Sequence, residues 1–328
     1  MFPAAPYAAG ASTALFSHFD YKGSDDYYAE NPLTAPTQLY NPILPGWNSD
    51  PSICRTGSDY WLVTSTFGYF PGLPLYHSTD LVNWSLVRNV LENPYAGFRI
   101  YMNESQAIDL YLKNRPGLEL EQTSFYSDAA AVAKGMGCDV LRVGKSVGAG
   151  SFRGFRHGKA CGIDTVSERT MRVPDNSTVE LIDRGWVYGD HSVDMEQTYT
   201  VSASTPALSV RVRLSGYKPG DMFCTGVQKL DSDNKGYVRG NIEASWGSNA
   251  PDSKHPELIE TVGLAVEVDS TNVAGVAETE TDYLLILRPD SNGEIRYRII
   301  ADVPRAAEGA KTAKQWFAKV KNFFQSNK

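Results

Sequence analysis

The chain has 328 residues, 42% of them hydrophobic, with 31 basic and 38 acidic side chains and a net charge of −7. That length and composition exclude a largely disordered chain and provide for one large or two ordinary buried cores. The acidic balance disfavours a counterion-displacing grip on nucleic acid, and no apolar run reaches the roughly 20 residues of a membrane helix.

The opening stretch, MFPAAPYAAGASTALF, has no Lys or Arg before its small apolar segment. It reads as a poor secretory signal, so the expectation from the chain as written is cytoplasmic. Charge then divides the chain: residues 1–92 hold 3 of the basic and 8 of the acidic groups, and 93–328 hold the other 28 and 30. The first part is instead dense in aromatics, Pro and Gly. Such a step in composition predicts two units, 1–92 and 93–328, with the seam at Leu91-Glu92-Asn93-Pro94.

In the first unit, Asp59–Thr66, Leu75–Ser78 and Trp84–Val87 are β-branched or aromatic runs between Gly and Pro turns, which predicts short antiparallel strands. In the second, apolar and polar residues alternate in segment after segment. Phe98, Ile100 and Met102 share one face, and Ile108, Leu110 and Leu112 another, across a turn at Asn103–Gln106. Leu208, Val210, Val212 and Leu214 alternate, as do Val262, Leu264, Val266 and Val268. Tyr283–Leu287 followed by Asn292-Gly293 and then Ile295, Tyr297 and Ile299 reads as a hairpin. A period of two across so many segments predicts an all-β class, with a large antiparallel sandwich in the second unit.

Helices are few. Ser127-Asp128 before Ala129–Lys134 and Gly135 reads as one short capped helix, and Ala313, Trp316, Phe317, Val320 and Phe324 form an apolar stripe that predicts a helix docked on the sandwich.

Cys54, Cys138, Cys161 and Cys224 form no CxxC pair and read as isolated thiols. The five histidines show no i, i+4 pairing, so no metal site is expected. Gly144-Lys145-Ser146 lacks the first glycine of a phosphate loop, with Asp139 in its place, and no helical pattern follows Gly148–Gly154. No cofactor is expected.

The strongest local pattern lies in the first unit. Asp50, before Pro51 and among aromatics, is placed to face a sugar ring, although Asp-Pro is also an ordinary turn. The run NPILPGWNSDPSICRTGSDYWLVTSTFGYFPGLPLYHSTDLVNWSLV resembles the opening of glycoside hydrolase family 43, over about residues 18–91. The resemblance implies one blade of a β-propeller, with Asp50 as general base and Trp47, Phe67 and Phe70 as walls of a sugar subsite. Inverting hydrolysis also needs a proton-donating carboxyl group opposite the base. That family draws its acid, and an Asp that tunes it, from later blades, and nothing after Leu91 resembles them. The implied catalytic set is therefore incomplete.

From Phe98 onward, FRIYMNESQAIDLYLKNRPGLELEQTSFY, DVLRVGKSVGAGSFRG, STVELIDRGW, FCTGVQKL and HPELIETVGLAV resemble domain-of-unknown-function family 4861, found in bacterial carbohydrate-utilisation loci. Both resemblances are partial at one seam, as in a join of two truncated units, and relatives of both families are often periplasmic or secreted. The second resemblance brings no residue roles. Chemistry alone nominates Arg99, Tyr101, Tyr111, Lys113 and Arg153 as groups that can grip a saccharide, the cations pairing with a uronate carboxylate. It nominates His255, five residues before Glu260, as an acid–base pair with it. Trp186 and Trp246, each beside Gly, fit sugar stacking or the core, the core being favoured.

The expected function is carbohydrate-active: hydrolysis or elimination acting on an oligosaccharide or polysaccharide, with the family 43 half inactive if its acid is missing. The alternative is a non-catalytic carbohydrate-binding or structural sandwich. No nucleic-acid or membrane partner is expected.

Overall fold

The computed structural model describes residues 43–44, 48–65, 74–89, 91–101, 103–120, 129–175, 177–251 and 259–326. Four strands come first: β1 (Ser49–Thr56), β2 (Asp59–Ser65), β3 (Pro74–Ser78) and β4 (Ser85–Asn89). They pair antiparallel in chain order as one four-stranded meander. The β1–β2 turn is tight because Gly57 takes φ +64°, a conformation costly for residues with a Cβ.

A three-stranded sheet follows, made of β5 (Ala96–Ile100), β6 (Ile108–Leu112) and β7 (Cys138–Asp139), with helix α1 (Ala129–Ala133) between the last two. The remaining strands are β8 (Arg153–Arg156), β9 (Lys159–Cys161), β10 (Glu168–Asp175), β11 (Thr178–Tyr188), β12 (His191–Ser202), β13 (Thr205–Ser215) and β14 (Phe223–Gln228). They continue as β15 (Ser232–Arg239), β16 (Ile242–Asn249), β17 (Glu260–Val268), β18 (Val273–Glu278), β19 (Asp282–Leu287) and β20 (Glu294–Asp302), before helix α2 (Ala313–Ser326). They form an eight-stranded sheet, β10-β11-β12-β13-β20-β17-β16-β15, and a five-stranded sheet, β18-β19-β14-β8-β9.

The alternation read from the sequence is what closes these sheets over one another. Leu208, Val210, Val212 and Leu214 of β13 and Val262, Leu264, Val266 and Val268 of β17 enter a core with Phe223 and Val227 of β14. Phe98, Ile108, Leu110 and Leu112 of the three-stranded sheet join it. The all-β expectation is borne out, with two long antiparallel sheets, a four-stranded meander and a short C-terminal helix.

Helix α2 docks as its stripe predicts. Trp316, Val320 and Phe324 are fully buried against Ala244, Trp246, Ala265 and Ile300, on the outer face of the eight-stranded sheet. A Cβ at Gly263 would stand 2.6 Å from the Trp316 ring, so the missing side chain admits the indole. Trp186 is buried in the main core and Trp246 under the helix. No helix among the described residues is long and apolar enough to cross a membrane.

One expectation is corrected. Asn292-Gly293 does make a tight turn, the Gly293 amide donating to the Asp290 carbonyl at 3.0 Å. However, β19 and β20 are not a hairpin: β19 pairs with β14 and β18, and β20 with β13 and β17. Leu285 and Leu287 on one strand and Ile295, Tyr297 and Ile299 on the other belong to the same core. Strands in opposed sheets can both turn their apolar face inward, so the chain crosses from sheet to sheet at this corner.

Candidate functional site

The sharpest concentration of ionisable groups lies on the three-stranded sheet. Phe98 and Leu110 are register partners that point into the core, and their neighbours Arg99 and Asp109 are register partners on the opposite face. On the third strand, Asp139 sits opposite Tyr111, one step along from Asp109. The pleat therefore lines up a guanidinium and two carboxyl groups across three strands.

Arg99 Nη2 donates to Asp109 Oδ2, and the Tyr101 hydroxyl lies 3.5 Å from the same oxygen. Asp109 acts directly on the Asp139 carboxyl. Burial first, and then the charge of Asp109, push the Asp139 carboxyl well above the ordinary carboxylate range. A carboxyl raised in this way holds its proton more tightly, so Asp139 can act as a donor. The backbone amide of Leu141 donates to Asp139 Oδ1 at 3.0 Å and fixes its rotamer.

A cavity of about 290 Å³ opens over this pair, lined also by Tyr101, Asn103, Ser105, Arg142 and Pro251. Its walls are held from outside. Asn249 accepts from the Arg142 amide at 2.9 Å and donates to the Val140 carbonyl at 2.9 Å, while the Arg142 side chain reaches Asp231 at 3.1 Å. Asn103 Oδ1 accepts from the amides of Ser105 and Gln106 and from the Ser105 hydroxyl, which shapes the β5–β6 turn.

A polar layer is buried beside the pair on the same sheet. Lys113, with 1% of its side chain exposed, donates to Glu92 Oε1 at 2.6 Å and to the carbonyls of Asn93 and Gly117. Glu92 also accepts from the amides of Glu119 and Leu120. Glu119 in turn accepts from the Tyr111 hydroxyl and the Gly137 amide, both at 2.8 Å.

Of the residues nominated from sequence, Arg99 and Tyr101 are brought to the cavity. Tyr111 and Lys113 are turned into the buried layer just described. Arg153 is buried elsewhere, its guanidinium donating to the carbonyls of Ser146 and Glu104. Glu260 accepts from Arg305 Nε at 3.2 Å and from the Cys138 thiol at 3.6 Å, a thiol that burial pushes up to about 12. His255, Trp47, Phe67 and Phe70 lie outside the described residues. Asp50 falls within β1, and its side chain lies outside the described part. Among the described residues no group of His, Cys, Asp or Glu is arranged to hold a metal ion, and the four cysteines are free thiols.

Sequence reasoning passed over Asp109 and Asp139. The available signal was a carboxylate embedded in each of two apolar runs, IDLYL and CDVL. Their meeting depends on β6 and β7 pairing across the intervening segment, which neither run encodes.

The model of the family described as "Domain of unknown function (DUF4861)" matches residues 89–327, and that of "Glycosyl hydrolases family 43" matches residues 39–105. Among curated proteins, the non-reducing end alpha-L-arabinofuranosidase BoGH43B of Bacteroides ovatus is 65% identical over 54 residues, 16% of this chain and 10% of that protein. The xylan 1,3-beta-xylosidase of a Vibrio species is 58% identical over 55 residues, 17% of this chain and 10% of that protein. The chain therefore spans only about a tenth of the length of these relatives. Among solved structures, YidC from Thermotoga maritima is 12% identical, with 84% of this chain and 56% of that chain covered and a TM-score of 0.34. The N-terminal part thus carries a glycoside hydrolase family 43 segment, and the match over 89–327 shows that the chain as a whole belongs to the DUF4861 family of domains of unknown function.

Proposed function

We propose that this is a carbohydrate-active protein of polysaccharide breakdown whose sandwich half holds a neutral sugar residue over the Asp109–Asp139 pair. The observation that carries the reading is the carboxyl pair at the base of an open polar cavity. Burial raises Asp139 so that it can serve as a donor, and the Asp109 oxygens can accept, so the pair can donate to one sugar hydroxyl and accept from its neighbour. The Arg99–Asp109 and Arg142–Asp231 ion pairs balance the nearby charge, which suits an uncharged ring.

The two carboxyl groups act directly on one another across adjacent strands, whereas glycosidase carboxyl groups stand roughly 5–9.5 Å apart with water or substrate between them. Recognition is therefore the role the pair fits best. Tyr111, Lys113, Arg153 and Glu260 are committed to internal bonds and take no part in it.

Calorimetric titration of the full chain with xylotriose tests the reading. Asp139→Ala is expected to weaken binding about tenfold or more, and Asp139→Asn, which keeps a donor, to retain it. No affinity for xylotriose or any other neutral oligosaccharide, or an unaffected Asp139→Ala variant, would overturn it.

A second reading is favoured by the match at 39–105. In it Asp50 is the general base of a family 43 site, with Trp47, Phe67 and Phe70 walling the sugar and the chain divided into units at residue 92. An aryl arabinofuranoside or xyloside released by the parent and not by Asp50→Ala would support it, and no release by the parent would reject it. In the sandwich, His255 as a base beside Glu260 is supported only by their spacing in sequence.

A further inference from the structure

The outer face of the eight-stranded sheet, on the solvent side of the alternation, carries a grid of charges whose pattern has one fault. On the strands β10 to β13, β20 and β17, cationic residues lie opposite carboxylates. Arg172 is the register partner of Glu180, Arg184 of Glu168, Arg213 of both Glu196 and Glu294, and Arg298 of Glu267. Arg211 breaks the rule. Its register partner on β12 is the neutral Thr198, and on β20 it is a second arginine, Arg296. Like charges directly opposite one another destabilise an antiparallel pair.

Most of the neighbouring carboxylates are already engaged, Glu196 by Arg184 among them, while Glu180 lines a small cavity together with Arg211. Glu294 accepts from both Arg213 and Arg296, and Glu267 accepts from Arg298. Asp269 caps the turn at Ser270–Asn272, accepting from the Thr271 amide at 3.0 Å and hydroxyl at 2.8 Å. Among the described residues Arg211 has no carboxylate in ion-pair contact, and its Nη2 is 3.4 Å from the Thr198 hydroxyl. A cavity of about 370 Å³ lies over it, lined by three guanidiniums (Arg211, Arg296 and Arg298), two carboxylates and the hydroxyls of Thr198, Thr200 and Ser209.

We propose that this face is an oxyanion-binding site, distinct from the Asp109–Asp139 cavity, in which a carboxylate, sulfate or phosphate group sits between Arg211 and Arg296. A bound anion supplies the charge that the grid lacks at this one position. Two guanidiniums present planar forks suited to its oxygens, and the threonine and serine hydroxyls complete the donor set.

Calorimetric titrations of the full chain with trigalacturonate, with neutral galactotriose and with inorganic phosphate test the proposal. The expected result is binding of trigalacturonate or phosphate that weakens as salt is raised and falls about tenfold or more in Arg211→Ala. Trigalacturonate binding that phosphate does not displace assigns the oxyanion to a uronate chain; Arg211-dependent phosphate binding alone assigns it to a free or esterified phosphate. Arg211→Glu provides a second measurement, because it places a carboxylate opposite Arg296. That variant is expected to melt at a higher temperature than the parent while losing the anion. The proposal is overturned if neither anion binds, or if Arg211→Glu leaves anion affinity unchanged.

Discussion

Asp109 and Asp139 stand on neighbouring antiparallel strands, the charge of Asp109 helps to raise the Asp139 carboxyl, and Arg99 is ion-paired with Asp109. Because the folded state holds the Asp139 proton more tightly than the unfolded chain does, this group favours folding most at low pH. The contribution fades as pH rises through its elevated folded value. Asp139→Asn replaces the carboxyl proton with an amide hydrogen that does not titrate. Its thermal midpoint at pH 8 is expected to equal or exceed that of the parent, with a flatter dependence between pH 4 and 8. A variant that melts lower than the parent at pH 8 by more than it does at pH 5 contradicts this assignment.

Lys113 and Glu92 form an ion pair with 1% and 6% of their side chains exposed. Removing one partner strands the other charge in the interior, so Lys113→Met is expected to cost about 3–5 kcal/mol in urea unfolding. The same pair ties the seam to the sandwich. A fragment beginning at residue 91 is expected to fold, and one beginning at residue 94, which lacks Glu92, to be destabilised by a similar amount. Equal unfolding midpoints for the two fragments would argue against that tie.

Glu243 is buried on β16, and its Oε2 has no hydrogen-bond partner among the described residues. Burial, and after it the charge of Glu278, raises its carboxyl from 4.5 to about 8. The unfolded chain ionises this group first, so stability is expected to fall as pH climbs from about 4.5 to 8. Glu243→Gln removes the titration. Denaturant midpoints at pH 5 and pH 9 check it, the variant gaining on the parent only at the higher pH.

Trp316 is fully buried, and its indole donates to the Ser245 carbonyl at 3.0 Å. Truncation to Ala is expected to cost about 3–5 kcal/mol and to free α2 from the sheet, seen as faster amide exchange along 313–326. Gly263→Ala intrudes on the same indole and is expected to cost about 1–3 kcal/mol. Unaltered exchange in Trp316→Ala would mean that the helix is held by other contacts.

Much of this architecture was legible in the residues. Alternation located β13, β17 and β20, because a strand with one buried face must place apolar side chains at every second position. The stripe from Ala313 to Phe324 located the docked helix for the corresponding reason at a helical period. The candidate site was harder to read. Arg99 and Tyr101 were visible as polar groups on a strand, yet Tyr111 and Lys113, nominated on the same grounds, are buried in internal bonds. Both sets are polar or aromatic groups on the same side of the sheet, and only what covers them differs.

The sequence alone determined the all-β class, the break in composition near residue 92, and the two family segments that meet there. Tertiary structure decided which strands lie side by side: it sent β19 and β20 to different sheets, set Asp139 next to Asp109, and put Arg211 opposite Arg296. The physical reason is that a period of two records only that one face of a strand is buried. It carries no record of which strand supplies the neighbouring hydrogen bonds, and charge pairing on a sheet depends entirely on that neighbour.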